Sequence, residues 1–166
     1  MNQQLIALFD QPEKRYLNPK ELSSLSQYVA SLPERIRVYR LLRDNEVKLM
    51  QQAVDSLQAQ CSQISEKQLE RSTVTGLLIL RYCAMAMVLD DATFVKQRLQ
   101  GWLSAVQLAY ETVKVDQDLH EMLRQQLGRQ FTAQQLSLLE PALKASQVLL
   151  SQPPEKPQAM VEAAKI

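Results

Sequence analysis

Glycine is nearly missing from this chain, with three in 166 residues beside two cysteines, one histidine and one tryptophan. Gly76, Gly101 and Gly128 stand alone, so no P-loop, nucleophile elbow or GxGxxG can be assembled, and no residue is expected to be catalytic. Cys61 and Cys83 cannot build a disulfide framework and lie in no CxxC pair, which places the chain in a reducing compartment. One histidine, His120, with two distant cysteines and no convergent acidic motif supplies no ligand set for a structural metal. Neither charge sign is in surplus, at 19 Lys and Arg against 18 Asp and Glu. The net charge of +1 creates no field to draw in nucleic acid or an anionic membrane. Long apolar runs are lacking too: Leu77 to Leu80 is broken by Arg81, and neither it nor Tyr82 to Leu89 approaches the roughly 20 residues a span needs. The opening residues, MNQQLIALFDQPEKRY, carry no basic leader before an extended apolar stretch. A soluble, cytoplasmic protein without an integral membrane segment is therefore expected.

What is present points to helices. Leu, Gln, Ala, Glu, Lys and Arg abound, and a chain of this length buries roughly 70% of its unfolded surface, enough for one all-α domain. Asn18-Pro19-Lys20-Glu21 starts a helix as a capping box with Pro in the first turn. Leu22, Leu25, Val29, Leu32, Ile36 and Tyr39 then follow at spacings of three and four. The stripe passes Pro33, where a kink is expected, and continues through Leu42, Leu49, Ala53, Val54 and Leu57. Arg43 to Glu46 form a polar patch where one helix can pass into the next. Ser65 caps a helix to about Leu89, apolar round its whole circumference from Gly76 to Val88, as a helix enclosed by others would be. Asp90-Asp91 caps one helix carrying Phe94 to Tyr110, with Trp102 in the core. Asp116 or Asp118 caps another that Gly128 ends in a left-handed turn. Thr132 to Gln135 caps the last, with Leu136, Leu139, Leu143 and Val148 as its stripe.

Two segments, YLNPKELSSLSQYVASLPERIRVYRLL and ILRYCAMAMVLDD, resemble the phycobiliprotein subunits of light-harvesting antennae, including phycocyanin and allophycocyanin. The shared features are Leu-Ser-Gln-x-Val-Ala over Leu25–Ala30, a basic residue at Arg35, Asn45, and Ile-Leu-Arg-Tyr over Ile79–Tyr82. The resemblance implies a globin-like, phycocyanin-like bundle with an N-terminal helical extension. It divides the chain into a clasp over residues 1–16, a domain over 17–150 and a flexible tail over 151–166. Leu5, Ile6, Leu8 and Phe9 would form the clasp, and Leu22, Leu25, Tyr28, Arg81 and Tyr82 would join them in a partner interface.

The family ties a linear tetrapyrrole by a thioether to a Cys, and grips it with a following Arg-Asp pair. Counting back from Arg81-Tyr82, the resemblance puts these at Ser72, Val74 and Thr75, so the pigment groups are gone. A hydroxyl is no substitute for a thiolate nucleophile, nor Val74 for a cation. Cys83 reads as a structural thiol, Cys61 as an incidental surface one, and His120 as a surface or capping residue. Gly76 marks a close helix crossing, and Arg81 needs a carboxylate or carbonyl partner. The first expectation is thus a non-pigmented protein, without cofactor. It would act by protein–protein contact with phycobilisome subunits, linkers or photosystem-associated proteins, in the cytoplasm or at the cytoplasmic face of the thylakoid. It would work in assembly, regulation or turnover, as a homo- or heterodimer. The alternative is a globin-like sensor holding bilin or haem without a covalent bond.

Overall fold

The computed structural model describes residues 6–7, 16–61 and 63–153. They form six main helices with no strand among the described residues: α1 (Pro19–Gln60), α2 (Glu66–Leu89), α3 (Thr93–Leu99), α4 (Leu103–Tyr110), α5 (Val113–Gln130) and α6 (Ala133–Ser151). This is the all-α, globin-like bundle. Leu5, Leu8 and Phe9 of the expected clasp, and residues 154–166 of the expected tail, lie outside the described residues.

Local chemistry starts three helices as expected. The side chains of Asn18, Ser65 and Thr132 each accept from the backbone N–H three residues on, and Glu21, Gln68 and Gln135 return the bond to the cap. α2 is the hub and touches every other helix. Ile79, Leu80, Cys83, Ala84, Ala86 and Met87 are buried along it. Its composition and 24-residue length would also suit a membrane crossing. Here α1, α5 and α6 pack against it, and 44% of its most apolar stretch is buried inside the bundle.

α1 runs for 42 residues, continuing past Pro33 and, against expectation, through the polar patch as well. Pro33 removes one helical bond, and the residues that α1 buries all lie beyond it, from Arg35 to Leu57. Beyond it, Arg35 is 8% exposed and donates to the Met87 carbonyl and, at 2.7 Å, to Asp90 Oδ1. Its guanidinium sits on the negative end of the α2 dipole and ties α1 to the end of α2. In the polar patch, Asn45 donates back to the Leu41 carbonyl, and Glu46 takes up Arg81 of α2.

Three other boundaries differ. The single helix expected over Phe94–Tyr110 is two, because the chain turns at Gln100–Trp102, where the Trp102 indole N–H caps the Arg98 carbonyl at 2.8 Å. Trp102 packs against the core edge rather than inside it. α5 begins at Val113, one turn before Asp116, and does not stop at Gly128. Leu127 and Phe131 are buried on either side of Gly128 and carry the helix past it. The left-handed positions are taken by Asp90 and Glu111, with φ of 54° and 55°. Arg35 holds the Asp90 carboxylate, whereas Glu111 is held through its carbonyl, which accepts from Gln68 Nε2 at 2.9 Å. Glu111→Gly relieves a Cβ clash of about 1–2 kcal/mol against a Gly entropy cost of about 0.5–1 kcal/mol, so a net gain of about 0.5–1 kcal/mol is expected in chemical denaturation.

Candidate functional site

Ser72 and Thr75 are three residues apart on α2 and therefore share a face. That face turns inward, leaving Ser72 0% and Thr75 1% exposed, while Val74 is 44% exposed on the outside. The structure thus brings two of the three pigment positions together and separates the third. Close approach of the helices is helped by Gly76, where an added Cβ would lie 3.0 Å from the Met50 methyl and 3.4 Å from Leu119.

Opposite them, the first turn of α5 supplies Asp116, 4% exposed. Thr112 Oγ1 donates to Asp116 Oδ2 at 3.0 Å. Burial lifts the carboxyl above the ordinary carboxylate range, with the dipoles of Ser72, Thr112 and Gln107 and the charge of Arg71 pulling it back. Ser72 stands near enough to contribute to that pull without the geometry of a hydrogen bond. Ser72 Oγ, Thr75 Oγ1 and Asp116 Oδ1 are enclosed and make no hydrogen bond among the described residues. They line a cavity of about 10 Å³, together with His120 and apolar side chains.

His120 was expected at the surface and is instead buried, 5% exposed, because it lies one turn beyond Asp116 on the face of α5 that meets the core. Its Nε2 is 2.8 Å from Ser146 Oγ, and Ser146 in turn donates to the Leu143 carbonyl. With the serine proton committed there, Nε2 carries the proton and donates. Desolvation, helped by Arg124, pushes the imidazole down to about 4, so it is neutral at pH 7. Cys83 completes this cluster, its Sγ 3.5 Å from the Ala142 carbonyl and 3.6 Å from Ser146 Oγ. Burial pushes its thiol up to about 12, which keeps it from acting as a thiolate nucleophile near neutrality. Cys61 caps the end of α1, half-buried against the core.

These residues do not fit a covalently held tetrapyrrole. The three positions offer neither thiol nor cation nor carboxylate, and Ser72 is sealed beneath α5. The cavity of about 10 Å³ compares with about 300–1,000 Å³ for small-molecule pockets.

The expected interface residues divide in two. Ile6 is 41% and Leu22 56% exposed, and Leu25 is half-buried. The exposed apolar line continues along α1 through Val29 and Ile36. Leu22, Val29 and Ile36 fall seven residues apart, with Leu25 and Leu32 between them and Tyr39 next in line, the spacing of a helix-pairing seam. Tyr28, Arg81 and Tyr82 are committed within the chain. Tyr28 Oη donates to the Val88 carbonyl at 3.1 Å, and Tyr82 meets Phe94 edge-on at 6.4 Å between ring centres. Arg81 is exposed rather than buried, and forks onto Glu46 with Nε–Oε2 at 2.9 Å and Nη2–Oε1 at 2.6 Å. That pairing lowers the Glu46 carboxyl and raises the Arg81 guanidinium. Beside the fork, Tyr39, Leu42, Leu80, Ala84 and Met85 line an open, largely apolar groove of about 290 Å³. Sequence reasoning named Glu46 only within a polar patch and Asp116 only as a candidate cap, not as the partners of Arg81 and of the Ser72–Thr75 face. Glu46 lies 35 residues from its partner, whereas the repeat Asp116, Leu119, Leu123, Leu127 does put Asp116 on the inward stripe of α5.

Comparison with known proteins gives one family. The family model described as Phycobilisome protein matches residues 4–145. No curated protein matches the chain.

Proposed function

Because the chain belongs to the phycobilisome protein family, we propose that it is a non-pigmented, non-enzymatic member that works through its contact surfaces. It docks on phycobilisome subunits, linkers or photosystem-associated proteins, at the cytoplasmic face of the thylakoid, and serves assembly, regulation or turnover of the antenna. The observation that carries this reading is the inward turn of Ser72 and Thr75. With hydroxyls sealed under α5 at both positions, the interior is committed to packing and the outward face of α1 is left for recognition. Leu22, Leu25, Val29, Leu32 and Ile36 form the docking line, and residues 1–16, with Leu5, Ile6, Leu8 and Phe9, extend it. The smallest assembly is a homodimer, since a patch that meets a sister subunit also meets a copy of itself.

The test is a pair of surface variants, Leu22→Asp with Val29→Asp, and a deletion of residues 1–16, read by light scattering after gel filtration and by capture from native extract. The double variant is expected to abolish the dimer or the captured phycobilisome partner. Because 56% and 53% of the two side chains already face water, its unfolding free energy should stay within about 0.5 kcal/mol of the parent. A parent that is monomeric at every concentration and captures the same proteins as both variants overturns the proposal. So does a visible absorption band that stays with the protein through gel filtration after bilin or haem is supplied, which would instead establish the tetrapyrrole sensor.

A further inference from the structure

Helical hydroxyls in this chain habitually bond back to the preceding turn. Ser24, Ser56, Thr73 and Ser151 each donate to the carbonyl four residues earlier, at 2.7–3.1 Å. Ser72 and Thr75 lie in the same helix as Thr73 and do otherwise, since neither hydroxyl makes a hydrogen bond among the described residues. Both point at the cavity into which Asp116 directs its unpaired Oδ1. Three enclosed oxygens on two helices, none satisfied, would each carry the full cost of desolvation, a combination that folded interiors avoid. The cavity of about 10 Å³ lies at the lower bound for a single water molecule, about 10–15 Å³, and is too small for anything larger.

We propose that Ser72 Oγ, Thr75 Oγ1 and Asp116 Oδ1 together hold one internal water that pins α2 to α5. Each of the three oxygens gains one bond. The water donates one proton to Asp116 Oδ1 and one to either hydroxyl oxygen, and accepts from the other hydroxyl, giving the three bonds usual for a buried water. Thr112 already occupies Asp116 Oδ2, so Oδ1 is the oxygen left to receive it. Gly76, Ile79, Leu119 and Leu123 form the rest of the wall with His120, whose Nε2 is engaged by Ser146. The site is independent of any docking role, because its oxygens lie inside the domain.

Oxygen-17 magnetic relaxation dispersion of the full chain counts long-lived internal waters, and a high-resolution crystal structure locates them. Thr75→Val is nearly isosteric and removes one of the three oxygens, and Ser72→Ala removes another. The expected result is a density peak about 3 Å from all three oxygens in the parent. Each variant should show a relaxation amplitude lower by one water, and Thr75→Val a melting midpoint lower by about 2–4 °C. If the hydroxyls have no such ligand, replacing one by a methyl removes an unsatisfied group, and the midpoint holds or rises. An unchanged amplitude in both variants, or a Thr75→Val midpoint equal to or above the parent's, overturns the proposal.

Discussion

Lowering the pH from 6.5 to 4 is expected to strip about 3 kcal/mol from the folded state through His120 alone, since its folded value falls from 6.5 to about 4 and each unit is worth about 1.36 kcal/mol. In the unfolded chain the imidazole takes up a proton below 6.5, whereas in the folded chain it stays neutral down to about 4. Between those values the unfolded state binds more protons, so stability is full above 6.5 and is lost as pH falls. Protonation inside the bundle would place a cation where burial denies it water and Arg124 already repels it. Asp116, one turn back along α5, opposes the trend in part. Its raised carboxyl favours the folded state most below the unfolded value of 3.8 and loses that contribution as pH rises through the folded value. His120→Gln keeps an Nε2 donor for Ser146 and removes the titration. Urea midpoints at pH 6.5 and 4.5 should therefore diverge strongly for the parent and much less for the variant, at similar slope. Equal pH dependence in both proteins would remove His120 as the cause.

Why His120 escaped a reading from residues alone shows what kind of information the sequence holds. Capping boxes at Asn18, Ser65 and Thr132 formed as read, because each is settled by four residues whose bonds close on themselves. The burial of α2 was legible in part: a helix apolar on all sides has to be covered, yet one line of it, through Val74, Arg81 and Met85, faces outward. By contrast, the fates of Gly101 and Gly128 were decided by how the chain packs rather than by the glycines themselves. The turn at Gln100–Trp102 precedes α4, while Phe131 anchors α5 beyond Gly128. His120 and Arg81 were exchanged for the same reason. A histidine between Leu119 and Glu121 is as consistent with the edge of a stripe as with its centre, and only packing against Ser146 of α6 puts it inside. Arg81, read as buried from its place in an apolar run, sits on the rim because Glu46 of α1 lies at the surface to receive it. The positions Ser72 and Thr75 were found by likeness to a family, but the Asp116 they face has no mark beyond its place on the α5 stripe.

Rebuilding the pigment groups should therefore unfold the protein before it colours it. Thr75→Asp places a second carboxylate at a position 1% exposed, across a cavity of about 10 Å³ from an Asp116 whose own ionisation burial already resists. No cation lines that cavity; the charge of Arg71, which acts on Asp116, comes from outside it and is already shared with that carboxylate. An unpaired carboxylate so enclosed either ionises at a cost of several kcal/mol or holds its proton through a shift of several pH units. The expected loss at pH 7 is about 3–5 kcal/mol, the range found when a buried charge is left alone. The pH dependence identifies the cause: the deficit should shrink as the pH approaches 4 and the new carboxyl is protonated, opposite in sign to the His120 effect. Combining it with Ser72→Cys and Val74→Arg gives the complete set of attachment groups. Even so, the thiol would lie where Ser72 is 0% exposed, so neither bilin uptake nor a visible band is expected from the triple variant. A Thr75→Asp protein as stable as its parent at pH 7, or a triple variant that binds a bilin covalently, would mean that α2 and α5 open wide enough to expose this wall. The inward commitment of Ser72 and Thr75 would then no longer argue for a protein that works by its surface.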